Sequence, residues 1–136
     1  MGLLDRLRGR REDDGDDEVP PEPPLDVDAR RAQLDDLERA LRTISRAMAA
    51  ETARMTNPGW RGRVEDLRFA ANEAGRLSNE GFTRAELLDL ANQVRPLYAP
   101  SLNQPPPQEY LPYADQQAAM LAAVAALRTP LPSEQA

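Results

Sequence analysis

The stretch RAQLDDLERALRTISRAM, residues 31–48, decides the fold, because its large apolar residues recur every three or four positions. This spacing lines them up along one face of an α-helix, as in a helical bundle. We therefore predict a first helix over residues 28–56, about 42 Å long, with Asp26 or Asp28 as its N-cap. The apolar series is Leu34, Leu37, Leu41, Ile44, Met48 and, after a gap at Glu51, Met55.

Two further helices follow from start and stop signals. Asn57 is a suitable cap and Pro58 a suitable first residue, so a second helix is predicted over 58–77. The spacing of Thr83 and Glu86 is that of a capping box, which predicts a third helix over 83–95, ended by Pro96.

The last third of the chain alternates proline-rich and alanine-rich segments. Residues 96–112 are predicted to form a proline-rich strap, followed by an Ala-rich fourth helix over 113–128 and a frayed tail over 129–136. No window has the alternation typical of β-strands. The expected fold is therefore all-α: a small bundle of three core helices plus the Ala-rich fourth, forming a domain over 28–128.

The N-terminal part is unlike the rest of the chain. Residues 12–28 carry nine acidic residues and no arginine, within a net charge of −6 for the whole chain. Such a segment cannot bury enough apolar surface to fold, so we expect residues 12–27 to be a disordered acidic and proline-rich tether. Residues 1–11, MGLLDRLRGRR, form a short basic amphipathic segment before it.

This N-terminal segment, residues 1–11, is the first candidate for function. On a helix its leucines share one face and its arginines flank them, which is typical of a segment that docks to a protein partner or lies on a membrane surface. Half-inserting three leucines contributes roughly 3–4 kcal/mol, whereas ordering the segment costs about 8 kcal/mol. A second contact is therefore needed, or the segment is only a leader. The residues concerned are Leu3, Leu4, Leu7, Arg6, Arg8, Arg10 and Arg11.

Two other surfaces are candidates for binding. A stripe of arginines on the first helix can contact an anion, a nucleic acid or the acidic tether, although a solvated helix face explains it as well. Three tyrosines beside prolines form a surface suited to peptide contact, although they can equally fill gaps beneath the strap. The stripe is Arg31, Arg39, Arg42 and Arg46, and the tyrosines are Tyr98, Tyr110 and Tyr113.

The composition excludes several chemistries. The chain has no cysteine and no histidine, and all 17 of its cations are arginine. Thiol and imidazole catalysis, imidazole metal ligation and lysine Schiff-base chemistry are therefore excluded. Carboxylates such as Glu65, Asp66, Glu73 and Asp89 remain, but nothing in the sequence orders them into a cleft. We expect no enzyme activity, no catalytic residue, no metal site and no cofactor.

The sequence thus favours a non-enzymatic helical interaction or adaptor protein whose segment 1–11 docks to a protein partner or a membrane surface. The alternative is a nucleic-acid-associated regulator that uses the arginines of the first helix, although the neutral domain makes nucleic acid the less favoured partner. A homodimer is also expected, because a first helix of this length would extend beyond the second. The expected location is the cytoplasm, with peripheral membrane contact at most.

Overall fold

The computed structural model describes residues 24–135 and contains four α-helices in that range: Val27–Ala49 (α1), Pro58–Glu80 (α2), Arg84–Gln93 (α3) and Ala114–Arg128 (α4). These residues contain no strand, so the all-α prediction is confirmed. α1 packs against α2 and α4, and α3 contacts both α2 and α4, so the four helices enclose one core. None of them is long and apolar enough to cross a membrane.

The predicted apolar face of α1 is the centre of this core. Leu34, Leu37, Leu41, Ile44 and Met48 are all completely buried. Asp26 is the N-cap, and its carboxylate accepts a hydrogen bond from the Ala29 amide at 3.1 Å. The domain therefore begins a few residues before the predicted boundary at 28, and Leu25 already packs against the core.

The predicted end of the first helix at residue 56 was wrong, since α1 ends at Ala49. The Met48 carbonyl accepts hydrogen bonds from the Glu51 amide and from the indole N–H of Trp60, which replace the next helical bond. A 3₁₀ turn, Arg54–Thr56, follows, and Met55 packs on the core from this turn. α1 and α2 each have 23 residues, so α1 is not the longer helix that the homodimer prediction assumed, and the homodimer stays a prediction.

The other helix boundaries differ by a few residues from the prediction. α2 continues to Glu80 and ends at Gly81, whose φ of 104° takes the backbone out of the helix. The capping box of Thr83 and Glu86 is present. α3 ends at Gln93, two residues earlier than predicted, and α4 begins at Ala114 after a 3₁₀ segment, Gln108–Tyr113, inside the predicted strap.

The C-terminal tail was predicted to fray, but residues up to 135 pack against the start of α1. Residues Pro132–Glu134 form a 3₁₀ turn, and Glu134 is only 3% exposed. Its carboxylate lies 2.6 Å from the Nη2 of Arg30, which is itself buried. This pair was not predicted from the sequence, because an arginine and a glutamate more than 100 positions apart carry no local signal of burial.

Arg30 donates two hydrogen bonds to Glu134, at 2.9 and 2.6 Å, and neighbouring groups satisfy much of the remaining capacity of both side chains, as a buried ion pair requires. Arg30 also donates to the carbonyls of Ala126 and Thr129 at the end of α4, and Glu134 accepts from the Asp26 amide at 3.0 Å. The hydrogen bonds from Arg30, together with that from the Asp26 amide, lower the pKa of Glu134 to about 2 despite its burial. This cluster, which we call the terminal clasp, joins the two ends of the domain.

Candidate functional site

Trp60 is a buried residue at the centre of a cluster of aromatic side chains. Asn57 caps α2 by accepting a hydrogen bond from the Trp60 amide at 3.1 Å, and this cap sets the ring one turn into the helix. The indole N–H donates to the Met48 carbonyl at 3.0 Å. Trp60 therefore fixes the corner between α1 and α2.

The three tyrosines singled out from the sequence gather on this tryptophan. The Tyr110 ring stacks on Trp60, with centroids 5.6 Å apart and planes within 8°, and Tyr113 contacts it at 5.9 Å. Tyr98 stacks in turn on Tyr110 at 6.3 Å. Tyr113 is buried and the other two are half-buried. Both ends of the proline-rich strap are thus held on one aromatic stack.

Two arginines lie on the faces of this stack. The Arg54 guanidinium is 5.0 Å from the Trp60 ring centre, and that of Arg63 is 5.7 Å from Tyr110. Both distances are within the range of a cation–π interaction. Arg54 also lies 3.2 Å from the Glu51 carboxylate, so of these two arginines it is Arg63 that has no carboxylate partner within residues 24–135.

Gln117 of α4 has a buried side chain that holds the start of the strap in place. Its Oε1 accepts a hydrogen bond from the Leu97 amide at 2.6 Å, and its Nε2 donates to the Tyr98 carbonyl at 3.1 Å. A buried amide used in this way replaces the backbone pairing that the extended segment lacks. The backbone after α3 is consequently held in place although it forms no regular structure.

A groove of about 710 Å³ lies next to the stack, between the first half of α2 and the segment that leaves α3. We call it the α2–α3 groove. The buried side chains of Leu67 and Leu97 lie among its walls, and Phe69 borders it with 58% of its surface exposed. Gly59 and Gly62 leave one side open, and a Cβ at Gly62 would meet no atom within 4 Å.

The polar part of the α2–α3 groove is dominated by two arginines, Arg63 and Arg95. Arg63 donates to the Pro96 carbonyl at 3.4 Å, and neither guanidinium forms an ion pair with a carboxylate in the described part of the chain. Asp66 is the one acidic residue in the lining. The groove therefore places two cationic groups beside an exposed aromatic ring.

The arginine stripe of α1 is already largely occupied. Arg31 lies 3.5 Å from Asp28, Arg39 lies 2.9 Å from Asp36, and Arg42 lies 2.8 Å from Glu38. Arg46 is exposed and has no ion-pair partner among residues 24–135. The structure therefore does not leave the stripe as a continuous row of unpaired cations.

Residues 1–11, with Leu3, Leu4, Leu7 and the four arginines, lie outside the described residues. The acidic side chains of the described part form no cluster of three or more that could hold a metal ion. The α2–α3 groove was not predicted, and its one sequence signal is Phe69, a large aromatic residue that lies off the apolar face of α2.

Comparison of the chain with protein-family models, with curated proteins and with solved structures finds no match.

Proposed function

We propose that this chain is a non-enzymatic interaction protein that binds an extended acidic segment of a partner protein in the α2–α3 groove. The observation that supports the proposal is the pairing of an exposed Phe69 with two arginines that lack carboxylate partners among the described residues. Aromatic residues and arginine are the types enriched at protein–protein interfaces, and here both border one concave surface.

Charge and shape define the segment that would bind. Arg63 and Arg95 favour acidic side chains, which arginine binds through two parallel hydrogen bonds. Phe69 and the floor formed by Leu67 and Leu97 favour a leucine or an aromatic ring. The open side at Gly59 and Gly62 lets a peptide backbone approach α2 closely.

The proposal is tested by selecting peptides from a random displayed library on the full chain and measuring their affinities. We expect the selected peptides to combine acidic residues with one large apolar residue. Phe69→Ala and Arg95→Glu should each weaken binding at least tenfold, which is about 1.4 kcal/mol. Gly62→Leu should abolish binding by filling the groove, because the new side chain projects into open space.

Matched substitutions outside the groove act as controls. Leu88→Ala removes another exposed apolar side chain, and Arg68→Glu reverses another exposed arginine on α2. Both should leave peptide affinity within twofold of the original chain. Peptides that bind equally well to Phe69→Ala and Gly62→Leu would contradict the proposal, and so would a selection that enriches no sequence.

Docking of residues 1–11 to a protein partner or a membrane surface is a separate hypothesis that rests on the sequence alone, and it competes with any binding of the same residues to their own chain. The observations favour nucleic acid less as a partner, because three of the four arginines of the α1 stripe have acidic partners within 4 Å.

A further inference from the structure

A second groove, of about 600 Å³, runs between α1 and α4 on a different face from the α2–α3 groove. Its surface is mainly alanine methyl groups, and its rims carry a few polar side chains. We call it the α1–α4 groove. The alanines are Ala40, Ala119, Ala122, Ala123 and Ala126, and the polar residues are Asp36, Arg39, Thr43, Asp115 and Gln116.

The α1–α4 groove has a lining suited to binding one more helix. Small side chains allow a helix with large apolar residues to approach closely, as when knobs enter holes. One polar atom of its wall is also unsatisfied: the Oε1 of Gln116 is buried and accepts no hydrogen bond from a described residue. A buried acceptor of this kind is stabilised when a donor reaches it.

The charges at the rims favour a cationic occupant. Asp115 has no ion-pair partner within the described range, whereas Asp36 forms an ion pair with Arg39 at 2.9 Å. An arginine-flanked apolar helix would therefore find an unpaired carboxylate on the α4 side of the groove, that of Asp115, and the Asp36–Arg39 ion pair on the α1 side.

The chain itself contains such a segment within reach. Arg30, near the start of α1, hydrogen-bonds to the carbonyls of Ala126 and Leu127, so the chain enters α1 beside one end of the groove. The other end, at Asp115, is about 16 Å further along α4. The tether residues that precede the described part, 12–23, can span up to about 40 Å when extended, and an eleven-residue helix is about 16 Å long.

We propose that residues 1–11 bind as a helix in the α1–α4 groove of their own chain, with Leu3, Leu4 and Leu7 against the alanines. The arginines of the segment then lie near Asp36 and Asp115. The tether supplies a millimolar effective concentration, so the contacts with the groove need to provide a dissociation constant of only about 1 mM for the segment to be mostly bound. This proposal concerns a different surface from the α2–α3 groove and holds or fails independently of it.

Disulfide trapping in the full chain tests the proposal, because the sequence has no cysteine of its own. One variant carries Leu4→Cys with Ala122→Cys, which lines the groove. The control carries Leu4→Cys with Ala125→Cys, which is exposed on the same helix outside the groove. Both pairs use the same tether, so an undocked segment would give them the same effective concentration in a glutathione buffer.

We expect the effective concentration of the groove pair to exceed that of the control pair at least tenfold. Adding Leu3→Ala and Leu7→Ala should bring the groove pair down to the control value. Equal values for the two original pairs would overturn the proposal, and so would a groove pair unaffected by the leucine substitutions. Disulfide-linked dimers that increase with protein concentration would also overturn it and would assign the groove to a second copy.

Discussion

At the scale of single residues, two glycines of this chain should respond in opposite ways to alanine. Gly62 lies inside α2 with open space around its Cα, so Gly62→Ala should stabilise the domain by roughly 0.5–1 kcal/mol. Gly81 ends the same helix at a φ of 104°, which a side chain disfavours, so Gly81→Ala should destabilise it by roughly 1–3 kcal/mol. Urea unfolding of the two variants measures both effects, and changes of the same sign would contradict this explanation.

The terminal clasp gives a second prediction for a single side chain. Glu134→Gln leaves the buried Arg30 without its counter-charge and should cost about 3 kcal/mol of unfolding free energy. Asp89→Asn, an exposed change on α3, should stay within about 0.5 kcal/mol of the original chain. A Glu134→Gln variant as stable as the control would show that the ion pair contributes nothing net.

The pH dependence of the same pair has a defined direction. The pKa of Glu134 falls from 4.5 to about 2 in the folded chain, mainly through hydrogen bonds from Arg30. Because the folded-state value is the lower one, the stabilisation is fully present above the unfolded-state pKa and is lost as the pH falls from about 4.5 to about 2. The stability difference between the original chain and Glu134→Gln should therefore shrink across this window.

At the scale of elements, the side chain of Gln117 holds the start of the strap. Gln117→Leu removes the partners of the Leu97 amide and the Tyr98 carbonyl and should cost about 2 kcal/mol. Hydrogen exchange should quicken in residues 97–113 before it does in α1 and α2. Gln104→Leu is the matched control, because Gln104 is exposed in the strap and its side chain forms no hydrogen bond within residues 24–135, so the stability of this variant should be nearly unchanged. Equal losses for the two variants would argue against the hydrogen bonds as the cause.

The helices of this chain depend on local sequence signals, whereas their ends and the groove between them depend on contacts between distant residues. The helices were predictable because periodic apolar residues and local caps, such as Thr83 with Glu86, act within a few positions. The early end of α1 was not, because it depends on the Trp60 indole binding the Met48 carbonyl. The α2–α3 groove was not predicted for a related reason, because it is formed by α2 together with the distant segment after α3. Its one signal in the sequence is Phe69, a large aromatic residue off the apolar face of α2.

At the scale of the whole molecule, the four helices and the strap should unfold together. Trp60 is the single tryptophan of the chain, and it contacts the end of α1 and the strap at once. Its fluorescence and the far-ultraviolet circular dichroism should therefore report the same urea midpoint, as in two-state unfolding. A fluorescence change at clearly lower urea would mean that the strap detaches while the helices persist.

The measurement that tests the proposed function most directly is amide chemical-shift mapping of the ¹⁵N-labelled full chain, titrated with an acidic peptide selected as described above. The α2–α3 groove predicts that the largest shifts fall on Gly59, Gly62, Phe69 and residues 92–97, with the far side of α1 unchanged. Shifts concentrated on the α1–α4 groove or on the α1 arginines, or no shifts at saturating peptide, would contradict it.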